Sequence, residues 1–380
     1  MPGMKWTFSL VPVVALALAA CGGGAAPASA PASSPAAPAS ASTAPKPAAS
    51  SPAAAAGASA SAKPAASASA KPAASAGAAP AASGLRKVRV GLSVAKTFEF
   101  EPANVVVSQG IDKQHGLQAE VSSFAGDGAL QQALAAGAID IGLSSSTASA
   151  TAIPKGQAIK IVGQIDDSPK FMTIIVRPDT GIANADGLKG KTIGVTTKGA
   201  FTDYVVQRLN LAKKWGNDGA KTVALGAFDA QLAALKTKQD DGFVWTADGG
   251  AQLEKSGDGK IIFHADAIMP DFPFEVLVAT DKLIKENPQM VKDYLAAFFD
   301  AVKFMKANKA QAIQLFAKDM DTPPDIAEKT YNDDVAAVSE TGKISIKGFE
   351  NIAQGITDIK AVDKPPAVNT LIDPQFLGTK

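Results

Sequence analysis

The chain has 380 residues, a formal net charge of +1 and a single cysteine, Cys21. This near-neutral balance, without a basic stripe, argues against a nucleic-acid partner. One cysteine excludes a disulfide within the chain, and its early position leaves the later part without a thiol nucleophile or thiol metal ligand. Residues 85–380 are ordinary in composition and numerous for a single core, so two lobes are expected there.

The first 20 residues are predicted to be a signal peptide. Lys5 precedes an apolar run over residues 10–20, which is too short to span a membrane in the usual way. The run ends in Leu-Ala-Ala-Cys at residues 18–21, which resembles a bacterial lipobox. That resemblance implies that Cys21 becomes the new N-terminus and carries lipid.

Residues 21–84 are predicted to be a disordered tether that follows the lipidated cysteine. They are almost entirely Ala, Pro, Ser and Gly, and the octamer ASAKPAAS occurs twice in tandem, at 60–67 and 68–75. Such a composition cannot bury a core. A flexible chain of about 60 residues reaches roughly 40–50 Å, which suits a tether between a membrane and a folded domain.

Strands and helices alternate in two similar runs after the tether, which is typical of βαβ units and a parallel sheet. KVRVGLS in the first run corresponds to KTIGVTT in the second, about one hundred residues later. The first run has predicted strands at 87–94, 117–124, 139–143 and 159–165, and helices at 104–116 and 129–136. The second has predicted strands at 170–176, 192–196, 222–225, 241–245, 260–264 and 274–280, and helices at 200–215 and 229–238. Four helices follow, at 288–306, 309–320, 323–341 and 349–362.

This order predicts an inserted second lobe. Lobe 1 is expected to comprise residues 85–177 plus 273–380, and lobe 2 residues 178–272. The two crossings between them are expected near 173–178 and 274–280, where two connecting strands would form a hinge.

A serine-rich turn at residues 144–147 is the most distinctive local feature. It follows a predicted buried strand and begins a predicted helix, where backbone N–H groups are free to donate to a small ligand. The alternative is that these hydroxyl groups only cap the helix.

Ligands of doubly wound sheets lie off the carboxyl ends of the strands, where helices begin. The predicted ligand-binding residues on that basis are Ser93, Lys96, Phe98, Asp127, Ser144, Ser145, Ser146, Thr147, Thr196, Thr197, Lys198, Phe201, Trp245 and Thr246. Helix starts and the two lysines favour an anionic or electron-rich group. Asp127, Asp166 and Asp167 would oppose it if they point inward. Asp127 is also the predicted N-cap of the helix at 129–136. Phe100 and Phe274 are further aromatic candidates; any of the phenylalanines could be core residues, and Lys198 could be an exposed loop lysine.

The folded part resembles periplasmic substrate-binding proteins of ABC importers, within the group that binds sulfonates, nitrate, taurine, riboflavin and thiamine-pyrimidine precursors. The matching pieces are KVRVGLSVAK, ALAAGAIDIGLSSSTA, DGLKGKTIGV, LAALKTKQDDGFV and LIDPQFL. The resemblance implies an α/β, type II-like fold with two doubly wound sheets joined by a two-strand hinge. It also implies ligand capture in the cleft between the lobes and delivery to a membrane permease with an ATPase. We expect a monomer without cofactor or metal, anchored outside the cytoplasm.

Two alternative functions stay open. A related group with this fold synthesises the thiamine pyrimidine, but it relies on a cysteine-rich segment that this chain lacks. His115 and His264 both have structural explanations, and the sequence has neither a Gly-x-Ser-x-Gly elbow nor a P-loop. The other alternative is a tethered receptor that reports its ligand to a sensor kinase.

Overall fold

The computed structural model describes residues 84–377. The predicted signal peptide, Cys21 and the tether up to residue 83 lie outside the described residues. Within this range, ten strands form two five-stranded sheets. The first sheet contains β1 (Arg86–Leu92), β2 (Leu117–Ser123), β3 (Ile141–Ser145), β4 (Ile159–Gln164) and β10 (Glu275–Thr280). The second contains β5 (Met172–Val176), β6 (Thr192–Val195), β7 (Lys221–Ala224), β8 (Gly242–Thr246) and β9 (Lys260–His264).

The two sheets have equivalent topologies, in the orders β2-β1-β3-β10-β4 and β7-β6-β8-β5-β9. In each sheet the fourth strand is antiparallel to its neighbours. The second sheet is built from five consecutive strands, β5 to β9, whereas the first sheet is completed by β10, which follows them in the chain. All residues of β3, β5, β8 and β10 are buried. Strands that are buried on both faces have nearly continuous apolar sequences. This explains why these strands could be predicted from the sequence.

Thirteen α-helices of residues 84–377 cover the sheets. They are α1 (Glu101–Ser108), α2 (Ile111–Gln114), α3 (Asp127–Ala135), α4 (Ser146–Ala152), α5 (Phe201–Ala212), α6 (Phe228–Lys236), α7 (Ala247–Ser256), α8 (Asp281–Glu286), α9 (Pro288–Ala307), α10 (Lys309–Asp319), α11 (Pro324–Asp334), α12 (Ile346–Asp358) and α13 (Val368–Leu371). The predicted helix at 104–116 is two helices, because Gly110 adopts the left-handed conformation between them. None of the helices in this part of the chain is long and apolar enough to cross a membrane.

One predicted lobe boundary is corrected by the strand pairing. Residues 172–176, assigned to lobe 1 from the sequence, form β5 and pair with β8 and β9 of the second sheet. The first crossing therefore lies at residues 165–171, and the second at 265–274, each just before the strand predicted to be the hinge. Lobe 1 ends near residue 171 and resumes near 273, while lobe 2 holds the strands between them.

Asp166 fastens the two crossings to each other. Its carboxylate accepts hydrogen bonds from the backbone N–H groups of Phe274 (2.9 Å) and Glu275 (3.2 Å), although it lies more than one hundred residues earlier in the chain. The carboxylate is fully buried. A buried N–H group without a partner is costly, so this contact fixes how the second crossing enters β10.

Candidate ligand-binding cleft

A cavity lies between the lobes, where the carboxyl ends of strands from both sheets meet. Lobe 1 lines it with Ser93, Val94, Thr97, Asp127, Ser145, Phe274 and Glu275, and lobe 2 with Met172, Thr196, Phe201, Thr202, Trp245 and Thr246. Its volume of about 30 Å³ has room for one or two water molecules. An organic ligand therefore requires the lobes to move apart around it.

Direct contacts between the lobes narrow this cleft. The N–H group of Gly128 in lobe 1 donates to the hydroxyl of Thr197 in lobe 2, at 3.3 Å. Farther out, Arg208 of α5 pairs with Asp358 of α12 at 3.0 Å. A Cβ atom at Gly126 would collide with the Thr197 side chain, so glycine allows the close approach of the loop.

The hydrogen-bond donors of the serine turn bind Asp127 and are not free for a ligand. Asp127 is expected from the sequence to cap helix α3, but Gly126 holds that place and Asp127 is the first helical residue. Its carboxylate instead accepts from the hydroxyl of Ser144 (2.6 Å), and from the N–H (2.9 Å) and hydroxyl (2.9 Å) of Ser145. The hydroxyl of Ser145 also accepts from the N–H of Ala148, at 3.4 Å, and so caps α4.

Aromatic rings form the apolar wall of the cavity. The ring centroids of Phe201 and Phe274 lie 4.6 Å apart across the lobe boundary. Trp245 packs against Phe228 at 5.4 Å. Phe201, Phe274 and Trp245 are buried. Since Phe201 and Trp245 come from lobe 2 and Phe274 from lobe 1, the wall is completed only when the lobes approach.

Half of the predicted ligand-binding residues meet at this cavity. They are Ser93, Asp127, Ser145, Thr196, Phe201, Trp245 and Thr246. Three predicted serines and threonines lie one layer behind them: Ser144 donates to Asp127, Ser146 donates to the carbonyl of Pro273 at 2.7 Å, and Thr147 is buried. Thr197 lies at the lobe contact described above.

The two predicted lysines do not line the cavity. Lys96 adopts a left-handed backbone conformation, and its ammonium lies 3.8 Å from Asp229 of lobe 2. Lys198 donates to the hydroxyl and carbonyl of Thr222 and lies 3.6 Å from Asp203, on the outside of lobe 2. The interpretation of Lys198 as an exposed loop lysine fits this placement.

Phe98 is a core residue, which was the alternative left open by the sequence. It is 1% exposed, and its ring packs edge-on against Phe316 at 5.1 Å and Tyr331 at 6.2 Å. These two rings belong to α10 and α11, so Phe98 attaches the C-terminal helices to lobe 1.

Sequence reasoning missed five lining residues: Val94, Thr97, Met172, Thr202 and Glu275. Glu275 is the most consequential because it is a carboxylate with 5% exposure. Glu275 is the first residue of β10 and the one charged residue in the apolar run FEVLVAT. A single charged residue at the start of a predicted buried strand was the signal that could have identified it. Met172 was missed because the first crossing was placed too late in the chain.

The acidic side chains around the cavity have perturbed pKa values. Burial raises the pKa of Glu275 well above its usual range, and the neighbouring carboxylates of Asp127, Asp166 and Glu99 raise it further. Burial also raises the pKa of Asp127, although its hydrogen bonds from Ser144 and Ser145 oppose that shift. No group of three or more His, Cys, Asp or Glu residues within 84–377 is arranged to hold a metal ion.

Two similar α/β lobes that face each other across a cleft, joined by two crossings, define the class of two-lobed periplasmic binding-protein folds. The chain belongs to the family described as NMT1/THI5 like, whose sequence model matches residues 101–312. This match confirms the predicted family.

A putative binding protein from Brucella abortus is 28% identical over 235 residues, which are 61% of this chain and 70% of that protein. A putative aliphatic sulfonates-binding protein from Bacillus subtilis is 24% identical over 222 residues, covering 58% of this chain and 66% of its own length. The structure of the alkanesulfonate-binding protein from Xanthomonas axonopodis pv. citri bound to MOPS has a TM-score of 0.67 at 17% identity. It covers 77% of this chain and 99% of that one, and it confirms the predicted fold.

Proposed function

We propose that this chain is the solute-binding component of an ABC importer and captures a small organic ligand between its lobes. The observation that carries the proposal is the cavity at the strand ends, which both lobes line with buried polar and aromatic side chains. Membership of the family and the binding proteins among its relatives support it. Among the described residues, this cleft lies at the carboxyl ends of the strands, which is where ligands of doubly wound sheets bind.

Ligand capture requires the two lobes to move about the crossings at 165–171 and 265–274. The cavity is too small for an organic molecule at the present separation, so the ligand enters a more open form and holds the lobes around itself. The closed form is then the one that docks on the permease.

The proposed location of the protein is based on its N-terminal sequence. The lipobox-like residues 18–21 and the tether at 21–84 support an extracytoplasmic protein anchored through lipid on Cys21. The variant Cys21→Ser should move the exported chain from the membrane fraction to the soluble fraction. Retention of the variant in the membrane would contradict lipid anchoring without touching the binding proposal.

A binding role is also supported over catalysis by the positions of both histidines. The ring of His115 contacts Asp300 at 3.0 Å, and the ring of His264 contacts the carbonyl of Lys170 at 3.2 Å. Neither histidine lines the cavity. The sensor alternative predicts the same binding but no uptake, so import of labelled ligand by cells with and without this chain separates the two.

The direct test is to identify, by mass spectrometry, a small molecule released from the purified full chain. We expect a retained ligand, lost in the variant Trp245→Ala and kept in the control Trp215→Ala, whose side chain lies outside the cavity. Small-angle scattering should show compaction when the released ligand is added back. A chain that retains nothing, and whose scattering and melting are unchanged across sulfonates, pyrimidines, flavins and aromatic acids, would overturn the proposal.

A further inference from the structure

The donors of the serine turn, which would bind an anion at the start of α4, are already used by the protein. The carboxylate of Asp127 accepts hydrogen bonds from the N–H group of Ser145 and from the hydroxyls of Ser144 and Ser145. The N–H group of Ser146, at the start of α4, donates to the carbonyl of Phe274 at 2.8 Å. The carboxylate of Asp127 therefore sits where the helix start would otherwise attract a ligand anion.

In lobe 2, the start of α7 also has a buried carboxylate beside it, although this one belongs to the same helix. The N–H group of Ala247, at the start of α7, donates to the carbonyl of Phe171 at 2.7 Å. Asp248 follows it as a buried carboxylate in the first turn of that helix, where its own negative charge meets the positive end of the helix. The starts of α4 and α7 thus each have a buried carboxylate of the protein beside them.

Acidic side chains collect around the cavity without matching cations. Glu99, Asp127, Asp166, Asp248, Glu275 and Asp334 are all buried, and Glu99 and Glu275 each lie close enough to three of the others to raise their pKa. Of the six, Asp334 alone has nearby lysines, Lys170 and Lys329, that lower its pKa. Within residues 84–377, no lysine, arginine or histidine lines the cavity, and none forms an ion pair with these six carboxylates.

Glu275 presents an acceptor to the cavity that nothing in residues 84–377 satisfies. Its Oε2 atom is buried and has no hydrogen-bond partner, and the side chain is 5% exposed. The hydroxyl of Thr97, also in the lining and 5% exposed, is without a partner as well. A buried polar atom left unpaired costs free energy. The carboxylate of Glu275 only accepts, whereas the hydroxyls of Thr97 and Thr246, both buried and unpartnered in the lining, can accept or donate. A ligand with N–H groups can therefore satisfy all three.

We infer that the cleft selects a small organic cation that donates N–H hydrogen bonds, with Glu275 as its principal acceptor and the rings of Phe201, Phe274 and Trp245 as its apolar wall. The inference rests on the proposed function and specifies the charge of the ligand. Aromatic faces attract cations, so the wall and the carboxylates favour the same ligand. Because the carboxylates are not grouped as metal ligands, an organic cation fits better than a metal ion.

The test uses three probes of one shape that differ in charge: benzamidinium, benzamide and benzoate. Isothermal titration of the full chain should give an affinity for benzamidinium at least about tenfold higher than for benzamide, because hydrogen bonds to charged groups are the stronger ones. Benzoate should bind more weakly than benzamide. The unaltered protein decides this ranking, so it does not depend on any variant that fails to fold.

The variant Glu275→Gln assigns the effect to one side chain. It keeps the shape and removes the negative charge that a bound cation stabilises on Glu275 against the burial that raises its pKa. It should therefore reduce benzamidinium affinity about tenfold or more while improving that of benzoate. The matched control Glu286→Gln, at an exposed carboxylate ending α8, should leave both affinities unchanged. Equal losses in the two variants would refute the assignment to Glu275.

Tighter binding of benzoate than of benzamidinium would overturn the cation assignment and leave the proposed function intact. Failure of all three probes would also overturn it, since the carboxylates would then not confer affinity on a cation. The ligand released from the purified chain separates this failure from that of the proposed function: release of a neutral or anionic molecule contradicts only the cation assignment, and release of nothing contradicts both.

Discussion

The two lobes share one strand order but contribute different chemistry to the cleft. Both carboxylates of the cavity lining, Asp127 and Glu275, come from lobe 1. Lobe 2 contributes Trp245 and Phe201, with threonines beside them. Lobe 1 is also the larger lobe, since it carries the helices that follow residue 280. Two lobes with the same strand order therefore have different roles: lobe 1 provides the charged groups of the cleft, and lobe 2 provides most of its aromatic surface.

The largest expected effect tests whether the lobes unfold as one unit. Phe298 in lobe 1 and Phe243 in lobe 2 are both fully buried. Each change to alanine should lower the free energy of unfolding by about 3–5 kcal/mol. Because the lobes are packed together, we expect each variant to shift one shared transition in urea, followed by circular dichroism and tryptophan fluorescence. Separate transitions, with each variant moving only that of its own lobe, would show independent lobes.

A pH series compares a buried acid in each lobe. Burial raises the pKa of Glu101 in lobe 1 to about 8, and that of Asp240 in lobe 2 to about 7. A raised folded-state pKa gives stability that is fully present below the unfolded value and is lost as the pH rises through the folded value. Stability should therefore fall between about pH 4.5 and 8 for Glu101, and between about 3.8 and 7 for Asp240.

The variants Glu101→Gln and Asp240→Asn should each flatten this dependence. At pH 8.5, Glu101→Gln should be more stable than the unaltered chain, by roughly 1–4 kcal/mol, and the advantage should vanish at pH 4. Urea midpoints at four or five pH values give the slopes. A variant that loses stability equally at both ends of the range would show that the carboxyl group is needed for its hydrogen bonds rather than destabilising when charged.

A smaller effect is expected where lobe 2 docks on the C-terminal helices. A Cβ atom at Gly355 of α12 would overlap the hydroxyl of Tyr204 of α5. Gly355→Ala should therefore destabilise the closed form by about 1–3 kcal/mol and increase the radius of gyration. Tyr204→Phe removes the overlapping oxygen and should rescue much of the loss. If the double variant is no more compact than Gly355→Ala alone, this contact does not control closure.

The smallest effect concerns ion pairs at the surface. Arg208 and Asp358 join the lobes at 3.0 Å, whereas Lys213 and Asp186 form a pair within lobe 2 at 2.6 Å. Arg208→Ala should cost about 1 kcal/mol or less and should open the cleft slightly at low salt. Lys213→Ala should leave the scattering profile unchanged. A larger opening with Lys213→Ala than with Arg208→Ala would contradict the role of the pair between the lobes.

The fold could be predicted because its signals are local and repeated. Apolar runs such as residues 172–176 and 242–246 mark buried strands whatever their partners are. Pairing is not local: nothing within MTIIV states that it joins β8 and β9 rather than β3 and β4. The boundary near residue 171 was consequently missed although every strand was found.

The site could be predicted where it depends on strand ends, and not where it depends on side-chain direction. Ser145 and Trp245 lie at strand ends and reach the cavity. Lys96 and Lys198 follow strand ends as well, but their long side chains turn to carboxylates and hydroxyls elsewhere. The lysines led us to expect an anionic ligand, whereas the charged side chains that line the cavity, Asp127 and Glu275, are acidic.

The late position of β10 in the chain constrains the order in which the two sheets can be completed. β10 lies between β3 and β4 in the first sheet, yet it follows all the strands of the second in the chain. Because the chain is synthesised from its N-terminus, β3 and β4 lack the strand that lies between them until about residue 280 has left the ribosome. The lobe that begins first is thus the one that is completed last.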